Sequence, residues 1–200
     1  MCNVVEGLGM KMDEHINYIV SGIERSGTSM LMQALHNGGA PVAFDDKRQP
    51  DDHNPKGYFE LEGGKIINKL MEGTFPMEKY RGTFIKITAF GLQYLPPGNY
   101  KIIYSERDLD EILDSMEKMA QIKDENRQET KESFLKLNEM IKQKMQRRDD
   151  VDLLLVNYNK TLENPSEQFQ HIYQFLQIPD IHVPNMVKTV DEKLYRQRRS

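Results

Sequence analysis

The chain has 200 residues, 38% of them hydrophobic and 29% charged, with a formal net charge of -4 at pH 7. That mixture can build an ordinary core and excludes a disordered chain, and the mildly acidic balance argues against a general nucleic-acid binder, which carries a basic excess. A single cysteine, Cys2, excludes a disulfide framework within the chain and points to a reducing setting.

The first fifteen residues hold no apolar run of the signal-peptide kind, and no stretch approaches the ~18 apolar residues of a membrane span. The expectation is a cytoplasmic protein with no membrane span. No linker, repeat or low-complexity tract divides residues 1–200, so one domain is expected. The first predicted strand is Asn17 to Ser21, and a helix over Ser29 to Asn37 follows, stopped by Gly38 and Gly39. Pro41 to Phe44 reads as a second strand. Ile66, Ile67, Leu70 and Met71 form a helical stripe, and Thr83 to Ile87 reads as a third strand. Tyr100 to Ser105 is a fourth strand, followed by a helix carrying Leu109, Ile112, Leu113 and Met116. The Lys/Glu/Gln-rich stretch from Lys118 to Arg148 reads as a solvated helix pair, with Phe134, Leu137, Ile141 and Met145 at helical spacing. Val151 to Val156 is a fifth strand, and its three consecutive leucines suit a strand covered on both faces. After Asn164-Pro165, a last helical stripe runs through Phe169, Ile172, Tyr173 and Leu176. Strands alternating with helices predict a three-layer α/β/α fold around a central, mainly parallel five-stranded sheet. Such sheets bind ligands beyond the carboxyl ends of their strands.

At the end of the first strand stands Ser21-Gly22-Ile23-Glu24-Arg25-Ser26-Gly27-Thr28-Ser29, with a helix directly behind it. Two glycines four residues apart let the chain wrap closely around an anion, so that backbone N–H groups and the helix N-terminus point at it. In a nucleotide triphosphatase a lysine would follow the second glycine. Here Thr28 stands there, and the cation is Arg25, inside the loop.

That loop resembles the 5′-phosphosulfate loop of the sulfotransferase family, in which an Arg or Lys occupies the Arg25 position and hydroxyls follow the glycine. A second block, Tyr104-Ser105-Glu106-Arg107-Asp108-Leu109, leads into a helix containing Ser115, eight positions after Arg107. It resembles the family's 3′-phosphate site, where Arg107 and Ser115, two turns apart on one face, would hold one phosphate. Paired instead with Asp110 or Glu111, Arg107 would make only a surface ion pair. Asn54-Pro55-Lys56-Gly57-Tyr58-Phe59-Glu60 resembles a segment of bacterial members. Tyr158 sits where the family often has Tyr-Glu, although Asn159 follows here. Leu194-Tyr195-Arg196-Gln197-Arg198-Arg199 resembles a basic C-terminal end in bacterial relatives.

The resemblance implies transfer of a sulfuryl group from 3′-phosphoadenosine 5′-phosphosulfate to an acceptor hydroxyl or amine, with no metal. Arg25 and the loop N–H groups would hold the 5′-phosphate, with Gly22 and Gly27 shaping the loop and Ser26, Thr28 and Ser29 adding hydroxyls. Lys86 resembles a family lysine near the transferred group. Cytosolic animal members place a histidine base two residues beyond it, where Thr88 stands here. Glu60 is the candidate base, and His53, Asp45 and Asp46 are its rivals. Tyr158 joins the nucleotide site, and Arg196, Arg198 and Arg199 either close over the 3′-phosphate or form a frayed tail. The five histidines are scattered without ligand spacing, so no metal is expected. The acceptor cannot be read from the residues. The competing readings are a P-loop kinase or hydrolase and a nucleotide-binding member of the fold without catalysis.

Overall fold

A computed structural model describes residues 12–45, 47–51 and 54–191, together with the backbone of Asn3–Val5. Asp46, His53, Arg196, Arg198 and Arg199 lie outside the described residues.

Six strands form one sheet: β1 (Asn3–Val5), β2 (Asn17–Gly22), β3 (Val42–Phe44), β4 (Phe84–Lys86), β5 (Tyr100–Glu106) and β6 (Val151–Asn157). Their order is β1-β3-β4-β2-β5-β6. The five strands from β2 to β6 are mutually parallel, as the alternation of strands and helices predicts, and β1 adds a short antiparallel edge beside β3. The apolar runs become strands because crossover helices cover both faces and the runs are too short for core helices.

Seven α-helices, with three short 3-10 turns at Glu62–Gly64, Met77–Tyr80 and Ala89–Tyr94, complete the described fold: α1 (Thr28–Asn37), α2 (Ile66–Met71), α3 (Leu109–Ala120), α4 (Arg127–Gln146), α5 (Tyr158–Glu163), α6 (Pro165–Leu176) and α7 (Val183–Val187). Side-chain caps start two of the longer ones. The Asp108 carboxylate accepts the Glu111 N–H at 3.1 Å to open α3, and Asn164 accepts the Glu167 N–H ahead of α6, whose first residue is Pro165. On one face of the sheet, Ile112 of α3 and Ile141 and Met145 of α4 pack against Ile19, Ile85, Ile102 and Tyr104. On the other face, Leu31, Met32 and Leu35 of α1 pack with Phe169 and Ile172 of α6 and Met186 of α7 around Val20, Phe84 and Ile103.

Two details differ from the sequence reading. Lys118 to Arg148 is not a helix pair: it holds the last turn of α3 and one helix, α4, of 20 residues. Nor is α4 wholly solvated, since Ile141 and Met145 are fully buried. The leucine-rich strand β6 is covered on both faces only in part: Leu153 and Leu154 pack against the cores of the two faces, but the strand lies at the edge of the sheet and Leu155 is 38% exposed. Three apolar residues in a row satisfy both faces of an edge strand as well as of a central one.

The chain leaves the central strand β2 through α1 on one face and leaves its neighbour β5 through α3 on the other. The carboxyl ends of β2 and β5 therefore flank the crevice where the strand order reverses, which is where open α/β sheets take their ligands.

Candidate active site

The loop after β2 is shaped by close contacts. Gly22 has φ 150°, and a side chain there would overlap the Ser26 hydroxyl and the Ser105 carbonyl. Arg25 has φ 68° and Gly27 φ 103°, both left-handed. A Cβ on Gly27 would run into the ring of Tyr158, which packs against this turn. Gly27 is the N-cap of α1 and offers no side-chain acceptor, and the first turn of the helix holds no acidic residue. Its leading N–H groups are left for an anion. Thr28 and Ser29 place their side chains in this first turn.

The opposite wall is the start of α3. The Arg107 guanidinium, 7% exposed, donates through NH1 to the Arg25 carbonyl at 3.0 Å and through Nε to Glu111 at 2.9 Å, and it lies 4.7 Å from the centroid of the Tyr158 ring. Arg107 thus does pair with Glu111, but as a buried ion pair, since the Glu111 side chain is only 2% exposed. The other Glu111 oxygen accepts from Asn159 Nδ2 at 3.1 Å. Two turns along α3, the Ser115 hydroxyl accepts from Arg25 Nε at 3.0 Å. Burial pulls the Arg25 guanidinium below its ordinary pKa, opposed by Tyr58 and reinforced by Arg107.

A third cluster closes the far side. Lys86, at the end of β4, is buried and donates to the Tyr58 carbonyl at 2.8 Å and the Ser29 hydroxyl at 3.1 Å, and its ammonium lies 2.9 Å from Glu60 Oε1. Burial lowers its pKa, and Glu60 works the other way. The second Glu60 oxygen meets Arg48 NH1 at 3.1 Å. Arg48 lies 3.5 Å over the Tyr58 ring, whose hydroxyl donates to Asp51 at 2.8 Å.

These walls enclose one cavity of about 340 Å3, in the range of small-molecule sites. Arg25, Gly27, Thr28 and Ser29 line it from the loop, and Arg107, Ser115 and Tyr158 from the opposite wall. Lys86 and Glu60 line it from the far side. Gly22 and Ser26 do not line it. Ser26 is buried beneath the loop, and its hydroxyl has no hydrogen-bond partner among the described residues. Asp45, a rival base, spends its carboxylate on the backbone N–H groups of Glu62 and Lys47, outside the lining. Arg48, Tyr58, Lys118 and Thr88 also face the cavity. Tyr58 belongs to the Asn54–Glu60 block that the sequence singles out. Arg48 and Lys118 stand in polar stretches with no pattern to mark them. Glu111 was legible only as a partner for Arg107.

No protein-family model and no curated protein matches the sequence. Solved structures do match the fold. The sulfotransferase domain of the Synechococcus PCC 7002 olefin synthase superposes with a TM-score of 0.56 at 15% identity, over 90% of this chain and 79% of that one. Retinol dehydratase, in complex with androsterone and the inactive cofactor PAP, gives 0.51 at 16% identity over 94% and 67%. Mouse sulfotransferase SULT7A1, complexed with PAP, gives 0.50 at 15% identity over 95% and 68%. The chain has the fold of these sulfotransferases.

Proposed function

We propose that the protein is a sulfotransferase that takes its sulfuryl group from 3′-phosphoadenosine 5′-phosphosulfate and gives it to an acceptor hydroxyl or amine. One observation carries this reading: the left-handed loop with Arg25, the wall with Arg107 and Ser115, and the Lys86–Glu60 pair face the same cavity. Two neighbouring anchoring sites, the loop with Arg25 and the wall with Arg107 and Ser115, face one cavity and suit a ligand that carries two phosphates. The PAP complexes of two proteins of the same fold support the choice of nucleotide. Lacking a lysine after Gly27, the loop does not favour a kinase.

The residues fit such a donor without a metal. Arg25 and the N–H groups at the start of α1 receive the 5′-phosphate. Arg107 and Ser115 receive the 3′-phosphate with charge-assisted and hydroxyl donors. Tyr158, packed against Gly27 on the cavity wall, offers ring surface to the nucleotide. The donor supplies an activated sulfuryl group: its bond to the bridging oxygen breaks as a bond to the acceptor oxygen or nitrogen forms. Lys86 neutralises the negative charge developing on the leaving oxygen. Glu60 takes the proton of the acceptor, and the 2.9 Å between the two side chains lets both act at one reacting centre. We take the whole chain as one domain working in the cytoplasm, in keeping with its lone cysteine.

Calorimetric titration with adenosine 3′,5′-bisphosphate, in parallel with magnesium-ATP, tests the reading. Binding of the bisphosphate without metal is expected, weakened severalfold by Ser115→Ala and more by Arg107→Ala. Lys86→Met is expected to keep that binding and to lose transfer of a radiolabelled sulfuryl group to a panel of alcohols and amines. Binding of magnesium-ATP alone would overturn the proposal.

A further inference from the structure

The sheet ends at β6, and the register fixes which of its backbone groups face outward. The Tyr100 N–H donates to the Asp150 carbonyl at 2.9 Å, and Tyr100 is the register partner of Val151. In a parallel ladder this turns the even-numbered residues of β6 toward β5 and the odd-numbered residues away. Of the outward groups, the Val151 N–H donates to the Arg148 carbonyl, and the Asn157 carbonyl accepts from the Thr161 hydroxyl. Among the described residues, the N–H and C=O groups of Leu153 and Leu155 meet no hydrogen-bonding partner.

Sheet edges are normally guarded by proline, lysine or a bulge. The stretch Val151-Asp152-Leu153-Leu154-Leu155-Val156-Asn157 has none of them. Its one charge, Asp152, lies 3.4 Å from Lys101 on the neighbouring strand. Leu155 is 38% exposed, and Leu153 and Leu154 are only part-buried, so the flanking helices leave the edge within reach.

We propose that β6 is the interface between two copies of this chain, paired antiparallel about a two-fold axis through Leu154. The edge is self-complementary in this register. Leu153 faces Leu155 of the second copy, and the two exchange N–H···O=C bonds in both directions; the symmetry repeats this for Leu155. Val151 faces Asn157 of the second copy, which joins the remaining outward carbonyl to the remaining outward N–H. This is the register that uses every outward group from Val151 to Asn157. Asp152 faces Val156, so no like charges meet. An axis perpendicular to the sheet keeps each face on its own side. The exposed Leu155 then lies beside Leu153 of the second copy, on the face where Leu153 already packs against the core. The proposal is independent of the reading of the active site.

Sedimentation velocity on the full chain, from micromolar to sub-millimolar loading, tests it. The expected mass is twice the 23.4 kDa of one chain. Leu155→Lys puts a guarding charge on an exposed position and is expected to return the protein to monomer with an unchanged circular dichroism spectrum. The register is tested in a Cys2→Ser background. Leu154→Cys is expected to form a disulfide-linked dimer on oxidation, because facing Cα atoms in that position lie about 4.5 Å apart. Leu155→Cys, which faces Leu153 rather than itself, is expected not to. A monomer throughout, a dimer indifferent to Leu155→Lys, or a Leu154→Cys variant that does not cross-link would each overturn the proposal. Binding of a foreign strand at this edge by a protein that stays monomeric when alone counts equally against it.

Discussion

Gly27 is held to glycine by a neighbour from the edge of the sheet, Tyr158 at the end of β6. Its φ of 103° is costly for any other residue, and the Tyr158 ring occupies the space a Cβ would need. Gly27→Ala should therefore cost about 1–3 kcal/mol in urea unfolding and also weaken bisphosphate binding, because the ring and the start of α1 shift together. Equal affinity for parent and variant in calorimetry would show that the loop does not touch the ligand. The Lys86–Glu60 pair makes a different demand. Removing one member of a buried ion pair strands the other, at a cost of about 3–5 kcal/mol. Glu60 keeps Arg48 when Lys86 is lost, whereas Lys86 keeps only neutral oxygens when Glu60 is lost. Glu60→Leu is thus expected to destabilise more than Lys86→Met, and the double variant less than the sum of the two. Additive costs in that cycle would mean that the pair is not coupled. Asn159 also has a physical account: it donates to Glu111, and a carboxylate there would face a buried carboxylate.

Elements, by contrast, are joined through their turns. Asp150, just before β6, grips Arg148 with both oxygens at 2.8 and 2.7 Å and accepts the Gly98 N–H at 2.8 Å, while Arg148 reaches the Leu95 carbonyl at 2.9 Å. The clamp ties the approach to β5 to the approach to β6. Hydrogen bonding from Arg148 holds the Asp150 carboxyl at about 2, below its ordinary 3.8. A depressed carboxyl adds stability that is present above its unfolded pKa and is lost as pH falls through the folded one. Asp150→Asn should therefore cost about 1–2 kcal/mol at neutral pH, allowing for partial exposure. Its gap to the parent should close between about pH 4 and 2, and urea midpoints across that range would measure it. A gap constant down to pH 2 would contradict the clamp. Elements of this kind were legible to different degrees. The five parallel strands could be read because apolar runs bounded by turn residues are local signals. That β6 sits at an edge was not, because strand order is set by which crossovers cover which face. The short α5 and α7 escaped notice, whereas the equally short α2 could be read because four of its six residues are apolar. In the site, the loop and the Arg107–Ser115 spacing could be read from local motifs. Arg48 could not, since what places it over Tyr58 is the return of the chain past the end of β3.

At the scale of the molecule, the candidate site is a seam between two halves of the sheet. α1 follows β2 on one face and α3 follows β5 on the other, and across the crevice they meet through Arg25 and Ser115, Arg107 and the Arg25 carbonyl, and the Ser105 hydroxyl and the Ser26 carbonyl at 2.6 Å. These contacts bring Arg107 against the loop that carries Arg25, and its positive charge works with burial to disfavour the charge of Arg25. A ligand with phosphate at both ends would relieve that repulsion and bridge the halves. Binding should then appear as global stability: at a hundred times its dissociation constant a ligand adds about 2.7 kcal/mol, which for a chain of this length raises the melting temperature by about 5–10 °C. Adenosine 3′,5′-bisphosphate is expected to produce that shift, and adenosine 5′-monophosphate, which engages one end only, a smaller one. Molar salt should shrink both by screening the phosphate contacts. A bisphosphate shift no larger than that of the monophosphate would mean that the two walls do not hold one ligand between them, and the seam would then be a structural joint and not a binding site.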